Sequence, residues 1–343
     1  MIYPANLEKG FSIGVTATSS GYENDIDFIR LENAIKNFKG HGYPVILTPN
    51  VRGGNNKGRS SDAVTRAKEL IKLINDPNIR LIIAASGGDY LMEILSFLDF
   101  MTIESNPKWV QGFSDTTGLT FTITTNLDIA TIYANNFGTF GMKNWHSSLS
   151  DNLLILEGND IIQNSFDMYQ DGYYDRITGL EEFVLEKKVE WINVFPKGAN
   201  ESDGINIHGR MLGGCLDVLL NLVGTRFDKT IEFSERYKED GILWFLESYS
   251  LSSESLIRGL WQLKEAGWFK NARGFIFGRP AMYKSEYEIS YEEAVVSVLQ
   301  ELGLPIILEA DIGHKPPQFA VINGALATVK CKNKKGKIIF ERR

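Results

Sequence analysis

Leu81-Ile82-Ile83-Ala84-Ala85 is an uninterrupted apolar run that ends at Ser86-Gly87-Gly88. A short continuous run of this kind is typical of a strand buried on both faces of a parallel sheet. Apolar residues at helical spacing lie on both sides of it: Ala67, Leu70, Ile71 and Ile74 before the run, and Leu91, Ile94, Leu95 and Leu98 after it. The stretch therefore predicts a helix–strand–helix unit of an α/β domain.

The same alternation extends in both directions along the first part of the chain. Strand patterns at 11–17, 43–47 and 109–110 are separated by helical patterns, of which the clearest has apolar residues at Phe28, Leu31, Ile35 and Phe38. Repeated β-α units of this kind predict a doubly wound domain. We expect residues 1–146 to form a Rossmann-like α/β domain.

The pattern changes after this domain. Between 147 and 206, aromatic, acidic and glycine residues are mixed without a sustained period, which predicts a connecting or lid region. Strand patterns return at 242–246 and 274–277, and the last thirty residues predict hairpin strands. We expect residues 207–343 to form a smaller, β-rich, barrel-like domain, so that the fold class is α/β with a second, β-rich part.

Composition excludes several classes of protein. The 343 residues contain 36 basic and 43 acidic side chains, for a net charge of −7, which disfavours binding to a nucleic acid polymer. The N-terminus does not resemble a signal peptide, and the longest apolar runs are too short to span a membrane. Two cysteines and four histidines, without metal-binding spacing, predict no disulfide framework, no metal and no cofactor. We expect a cytoplasmic protein.

The segment Gly112-Phe113-Ser114-Asp115-Thr116-Thr117 is the most informative candidate site. It lies between a short apolar strand and a helix start, so Ser114 is expected at a tight strand-to-helix turn with its hydroxyl exposed. Backbone N–H groups of the first helical turn would face negative charge developing there. The alternative is that Ser114 is an ordinary helix N-cap.

Three further residues follow predicted strands. Gly88 allows its backbone N–H to approach a ligand closely and to form half of an oxyanion hole, although Gly87-Gly88 also fits a plain turn. Glu247 ends a predicted strand, and His314 lies between a glycine and a proline pair. The order Ser114, Glu247, His314 fits a nucleophile, an orienting acid and a general base. The alternative for Glu247 is a solvated loop acid, and the alternative for His314 is an ordinary loop histidine.

A different class of function is suggested by Gly53-Gly54-Asn55-Asn56-Lys57-Gly58-Arg59-Ser60. This segment matches a phosphate-binding P-loop except that Arg59 replaces the lysine that contacts the β- and γ-phosphates. An NTPase is therefore disfavoured, and a glycine-rich surface loop is the better interpretation.

Seven segments in the same order resemble the serine LD-carboxypeptidase family, which also contains the microcin C immunity peptidases. They are Ala17-Thr18-Ser19-Ser20, Asp62 to Arg66, Asp76-Pro77 with Ser86-Gly87-Gly88, Gly112 to Thr117, Gly213-Gly214-Cys215-Leu216 with Leu222-Val223-Gly224-Thr225, Leu246-Glu247, and Asp311-Ile312-Gly313-His314. The resemblance implies that Ser114 is the nucleophile, Glu247 the orienting acid and His314 the base, and that the backbone N–H groups of Gly88 and Asp115 form the oxyanion hole.

The resemblance also implies a metal-free serine amidase, usually a homodimer, that acts on a small substrate. That substrate is either a murein tetrapeptide losing its terminal D-Ala in peptidoglycan recycling, or a microcin C-like peptidyl or aminoacyl nucleotide. The length of 147–206 favours the immunity branch, in which Tyr169, Tyr173, Tyr174 and Trp191 would be available to stack on a nucleobase. Cys215 departs from the family, where asparagine is frequent. A non-catalytic ligand-binding protein on the same fold is the alternative.

Overall fold

The computed structural model describes residues 1–54 and 57–341, which form two compact units. The first unit contains Met1–Asp160 and also Tyr174–Glu182, and the second contains Ile161–Tyr173 and the described chain from Phe183 onward. The predicted connecting region 147–206 therefore contributes residues to both units.

The first unit is built on five parallel strands. Its strands are β1 (Ser12–Thr16), β2 (Val45–Leu47), β3 (Ile79–Ala84), β4 (Trp109–Gly112) and β5 (Thr131–Tyr133). Its α-helices are α1 (Asp25–Gly40), α2 (Ala63–Asn75), α3 (Phe100–Ser105), α4 (Thr117–Leu127) and α5 (Ser147–Leu156), and 3₁₀ helices form at Pro49–Arg52, Leu91–Phe97, Ser114–Thr116 and Phe137–Gly141. The strands pair in the order β5-β4-β3-β1-β2, and all of these pairs are parallel.

This strand order places a topological switch point between β1 and β3, where open α/β sheets bind ligands at the carboxyl ends of the strands. Ser19 and Ser20 follow β1, Gly87 and Gly88 follow β3, and Ser114 follows β4. The candidate nucleophile and the glycine turn therefore lie at the same edge of the sheet.

The second unit is rich in β-structure. Its strands are β6 (Ile162–Asn164), β7 (Met168–Tyr169), β8 (Lys187–Lys188), β9 (Ile192–Val194), β10 (Ile205–Cys215), β11 (Ile242–Glu247), β12 (Ala272–Gly278), β13 (Ile306–Ala310), β14 (Val321–Asn323), β15 (Leu326–Lys332) and β16 (Lys335–Glu341). Its α-helices are α6 (Leu216–Leu219), α7 (Thr230–Arg236), α8 (Ser253–Glu265) and α9 (Tyr291–Leu299), with 3₁₀ helices at Glu201–Asp203 and Gln300–Leu302.

Eight of these strands form one mixed sheet in the order β6-β16-β15-β10-β11-β12-β13-β9. The four central strands, β10 to β13, are parallel, so their carboxyl ends lie at one edge. Glu247 ends β11 and His314 follows β13. The two candidate residues of this unit are thus brought to a common edge although 66 residues separate them along the chain.

The predicted fold class is confirmed: a parallel-stranded α/β unit precedes a β-rich unit. The buried strand predicted at Leu81–Ala85 corresponds to β3, whose residues are almost all buried. The segment Leu91–Phe97 is a 3₁₀ helix and not the expected α-helix. Asp62 caps the N-terminus of α2 by accepting a hydrogen bond from the Thr65 N–H. Over the described part of the chain, no helix combines the length and apolar character needed to cross a membrane.

Candidate active site

Ser114 has a backbone conformation that is rare for a residue with a side chain. Its φ is 61°, in the left-handed region, between the end of β4 and the start of α4. This conformation costs roughly 1–2 kcal/mol in a non-glycine residue and is typical of functional sites. The 3₁₀ turn begins at Ser114 and has no side-chain cap. Ser114 is therefore not the N-cap that the alternative interpretation expected.

The turn around Ser114 is tightly packed. A Cβ atom at Gly112 would lie 2.6 Å from Thr116 Cγ2 and 2.8 Å from Asn136 Oδ1, so a larger residue would displace both. The same Asn136 Oδ1 accepts a hydrogen bond from the Phe113 N–H at 3.1 Å. These contacts hold the Ser114 backbone in its unfavourable conformation.

The glycine turn after β3 packs directly against Ser114. A Cβ atom at Gly87 would lie 3.1 Å from Ser114 Oγ. Gly88 has φ 143°, and a Cβ atom there would lie 2.4 Å from Ser19 Oγ and 2.5 Å from Ser20 Oγ. The positive φ and these short distances favour glycine at 88, and the role of its N–H as an oxyanion-hole donor stays a prediction.

The Asp115 side chain links the Ser114 turn to the glycine turn. Its buried carboxylate accepts a hydrogen bond from the Leu91 N–H at 2.8 Å, at the start of the 3₁₀ helix that follows Gly88. Burial raises the pKa of Asp115, while hydrogen bonds from Ser19 and from the Leu91 backbone act in the opposite direction. The Asp115 side chain therefore connects the turn at Ser114 to the segment that follows Gly88.

We expect Asp115→Asn to change how stability depends on pH. Because the pKa of Asp115 is raised in the folded state, its protonated form stabilises the fold below about pH 4, and this contribution is lost as pH rises through the raised pKa. The free energy of unfolding of Asp115→Asn relative to wild type should therefore increase as pH rises. Urea unfolding at a series of pH values between about 4 and 7 measures this difference. If the difference in free energy of unfolding between Asp115→Asn and wild type did not vary with pH, the pKa of Asp115 would not be raised in the folded state.

In the second unit, the imidazole of His314 contacts the carboxylate of Glu247. The His314 Nδ1 lies 2.8 Å from Glu247 Oε2, and the Glu247 side chain is fully buried. A carboxylate bonded to Nδ1 orients the ring and stabilises it when it becomes charged. The structure thus brings together two of the three residues predicted to form a catalytic triad.

Two glycines allow this contact. Gly313 has φ 97°, and a Cβ atom there would lie 2.6 Å from Glu247 Oε2. A Cβ atom at Gly278, the last residue of β12, would lie 2.1 Å from the Ile312 carbonyl oxygen. The chain before His314 therefore passes over the Glu247 carboxylate at a distance that side chains at these positions would prevent.

Asp311 was part of the motif singled out in the sequence, but the pattern assigned no role to it. Its buried carboxylate accepts hydrogen bonds from Arg279 Nη2 at 2.8 Å and Trp191 Nε1 at 3.0 Å. Arg279 is also buried and donates to the Glu309 carbonyl. This ion pair stabilises the loop that carries His314. A basic residue following the predicted strand 274–277 was the only sequence signal for it.

Removing the Asp311 carboxylate should therefore destabilise the protein. Asp311→Ala leaves the Arg279 guanidinium buried without its partner, and we expect the free energy of unfolding to fall by about 3–5 kcal/mol. Thermal and urea unfolding measure this loss. Asp167→Ala is the matched control, since Asp167 pairs with Lys335 at the surface and its removal should leave the free energy of unfolding close to that of wild type. Equal effects of the two substitutions would contradict the role given to Asp311.

Cys215 lies next to Glu247 on the neighbouring strand. The two residues are partners in the β10–β11 pairing, and burial, together with the Glu247 and Asp217 carboxylates, raises the pKa of the Cys215 thiol. The thiol therefore remains protonated at neutral pH.

Asp217 accepts hydrogen bonds from the backbone N–H groups of Tyr249 and Ser250, both at 2.9 Å. Tyr249 in turn contacts the His314 ring, with ring centroids 4.7 Å apart.

The other three histidines contact neighbouring residues of the protein. His41 stacks on Trp145, His146 caps α5, and His208 contacts Glu341 at the surface. Trp191 is buried and bonded to Asp311, so it is not available to stack on a ligand, whereas Tyr173 and Tyr174 are exposed.

The arginine of the P-loop-like segment is engaged by neighbouring side chains. Arg59 donates to the Glu93 carboxylate and lies over the Tyr90 ring, while Asn55 and Asn56 lie outside the described residues. Among the described residues, no group of three or more histidine, cysteine or acidic side chains is arranged to hold a metal ion.

Comparison with known proteins relates both halves of the chain to one family. Residues 13–134 match the family model of the LD-carboxypeptidase N-terminal domain, and residues 208–329 match that of the LD-carboxypeptidase C-terminal domain. The chain is 25% identical over 335 residues to a probable murein peptide carboxypeptidase of Bacillus subtilis, covering 96% of this chain and 92% of that protein. It is also 25% identical over 295 residues to the microcin C7 self-immunity protein MccF of Escherichia coli, covering 80% and 78%.

A solved structure supports the fold. MccF in complex with aspartyl sulfamoyl adenosine has a TM-score of 0.82 to this chain at 22% identity, and the match covers 100% of this chain and 99% of that one.

Proposed function

Because the chain belongs to the LD-carboxypeptidase family and is an amide hydrolase of that type, we propose that Ser114, His314 and Glu247 together carry its reaction. In this proposal the Ser114 hydroxyl attacks the substrate amide carbonyl as a nucleophile. His314 accepts the hydroxyl proton at Nε2, the ring nitrogen that does not contact Glu247. Glu247 stabilises the imidazolium that results.

The remaining steps follow from acyl transfer. The backbone N–H groups of Gly88 and Asp115 would stabilise the negative charge on the oxygen of the tetrahedral intermediate. His314 then gives its proton to the leaving amine, and an acyl ester forms on Ser114. Water, activated by the same imidazole, hydrolyses this ester and regenerates the free serine. The observation that carries the proposal is the buried contact between His314 Nδ1 and Glu247 Oε2 at 2.8 Å.

Two substrate classes fit this chemistry, and both have an amide or amide-like bond near a charged group. Similarity to a probable murein peptide carboxypeptidase favours a murein tetrapeptide that loses its terminal D-Ala. Similarity to MccF favours an aminoacyl or peptidyl nucleotide of the microcin C type. We propose that the substrate is one of these two small molecules.

The test is incubation with both substrates followed by mass spectrometry of the products. Loss of D-Ala from the tetrapeptide supports the murein assignment, and release of the free amino acid from aspartyl sulfamoyl adenosine supports the nucleotide assignment. Binding of both compounds without cleavage of either would instead support a non-catalytic ligand-binding protein.

We further propose that the protein is cytoplasmic and acts as a homodimer, as the family resemblance implies. Light scattering of the purified protein tests the second statement, since a dimer has twice the mass of the 343-residue chain. Fractionation of cells that express the chain tests the first.

A further inference from the structure

A cavity of about 330 Å³ lies beside Ser114 in the first unit. Its lining includes Gly87, Phe113, Tyr22 and Asn136. A Cβ atom at Gly87 would lie 3.1 Å from Ser114 Oγ, so this lining residue of the cavity is in direct contact with the candidate nucleophile. The volume is at the lower end of the range of roughly 300–1,000 Å³ that is usual for small-molecule sites.

Two opposite charges, Asp27 and Arg176, also line this cavity. Arg176 Nη1 lies 3.4 Å from Asp27 Oδ1, which is longer than the usual 2.7–2.9 Å of a charge-assisted hydrogen bond. Both side chains are partly exposed, at 43% for Arg176 and 28% for Asp27. The Asn24 side-chain amide donates to the other carboxylate oxygen of Asp27 at 2.8 Å and so orients it. The pair is loosely associated, and a ligand with both charges can engage both residues.

Arg176 reaches this position because its segment returns to the first unit. We call residues 174–182 the return segment. Buried Arg30 donates hydrogen bonds to the Gly179 and Glu181 carbonyls in this segment, at 3.2 and 2.6 Å, and to the Gly138 carbonyl at 2.7 Å. Burial lowers the pKa of Arg30 to about 10, so the guanidinium remains charged at neutral pH.

Two further contacts fix the return segment. Gly179 has φ 82° and passes so close to α1 that a Cβ atom would lie 2.7 Å from the Ile26 carbonyl oxygen. The Glu181 carboxylate accepts hydrogen bonds from the Ile177 and Thr178 N–H groups. The position of Arg176 is thus built by a buried cation and a tight backbone approach, and does not depend on its contact with Asp27 alone.

The neighbouring charges define the ligand further. Asp25 and Asp175 line an adjoining cavity together with Asp27 and Arg176, and Glu23 lines another with Asp27. Among the lining residues of these cavities, acidic side chains therefore outnumber the basic side chain of Arg176, with which the buried Arg30 guanidinium also interacts electrostatically. These carboxylates would repel a simple anion, whereas a ligand with an ammonium group and a carboxylate would match both signs of charge.

We propose that this cavity is a subsite for a zwitterionic amino-acid group on the acyl side of the scissile bond, whose carboxylate binds Arg176 and whose ammonium group binds Asp27. The inference rests on the proposed function, because it is Ser114 that makes the cavity a substrate site. Both candidate substrates carry such a group. The diaminopimelate residue of a murein tetrapeptide ends in a free ammonium and carboxylate, and an aspartyl nucleotide has a free α-ammonium and a side-chain carboxylate.

The test compares matched substrates that differ only in the carboxylate. In the murein arm, tetrapeptides with meso-diaminopimelate or L-lysine at the third position are cleaved by wild type and by Arg176→Gln. In the nucleotide arm, aspartyl and asparaginyl sulfamoyl adenosine take their place. In the arm that matches the true substrate, Arg176→Gln should lower the ratio of kcat/KM values for the carboxylate-bearing and carboxylate-free compounds by about 10- to 100-fold.

Two variants serve as controls. Arg258→Gln replaces an exposed arginine of α8 in the second unit and should leave the ratio unchanged. Asp27→Asn should lower kcat/KM for both members of a pair, since both keep the ammonium group.

The result is independent of turnover when the same ratios are measured as dissociation constants in a Ser114→Ala background by calorimetry. A ratio that Arg176→Gln leaves unchanged in both arms overturns the subsite, as does a wild-type protein that does not prefer the carboxylate-bearing compound. Full cleavage by Ser114→Ala would instead overturn the proposed function, so the two failures are distinguishable.

Discussion

Ser114→Ala is expected to lower kcat for amide cleavage by about 10⁴- to 10⁶-fold, the usual loss when a catalytic serine is removed. Alanine lacks the hydroxyl that we propose forms the acyl ester, while the proposed oxyanion donors and the cavity beside Ser114 remain. The substitution removes one oxygen from a half-buried side chain, so the fold should be retained. Single-turnover assays with each substrate measure the loss, and circular dichroism checks the fold.

Ser114→Gly separates the catalytic role from the backbone conformation. Glycine adopts φ near 61° without the steric cost that serine has, so this variant should be more stable than wild type by about 1 kcal/mol while it is equally inactive. An inactive but more stable variant would indicate that the strain at Ser114 is retained for function. If either variant kept wild-type turnover, Ser114 would not be the nucleophile.

His314→Ala should cause a loss of similar size, about 10⁴-fold or more in kcat, because it removes the group that we propose takes the Ser114 proton. The double variant Ser114→Ala/His314→Ala gives a further check, since its loss of kcat can be compared with the losses in the two single variants. Residues that act as one catalytic unit are not additive, so the double variant should be hardly less active than either single variant. The double-variant cycle therefore tests whether Ser114 and His314 function together.

His208→Ala is the matched control for this experiment. His208 lies on β10 with its ring about half exposed and contacts Glu341, so its loss should leave kcat unchanged. An additive double variant, or equal losses in His314→Ala and His208→Ala, would contradict the role given to His314.

Much of the fold was predictable because its signals are local. The spacing of Phe28, Leu31, Ile35 and Phe38 predicted a helix that the structure contains as α1, and the apolar run at Leu81–Ala85 predicted β3. The return segment was not predictable, because it is held by contacts between Arg30 and carbonyls about 150 residues further along the chain. Contacts at that separation leave no period in the sequence.

The candidate site divides in the same way. Ser114 and His314 can be singled out as candidates because each lies in a short motif, and Gly88 because paired glycines follow a buried strand. The ion pair between Asp311 and Arg279 had no comparable signal, since each residue alone resembles an ordinary loop charge. The prediction that Trp191 is available to stack on a nucleobase was wrong for the same reason, because the sequence of a variable segment does not show whether an aromatic side chain in it is buried.

The sequence by itself determined which segments form strands and helices, their order, and the residue types available for acyl transfer, because apolar spacing and turn residues act over a few neighbours. Only the tertiary structure decided which strand ends adjoin. The contact between Glu247 and His314 exists because β11 and β13 belong to one parallel block with their carboxyl ends at the same edge, and the positive φ of Ser114 exists because its surroundings are packed around it. Both depend on burying surfaces contributed by distant parts of the chain, which is a property of the assembled core and not of any one segment.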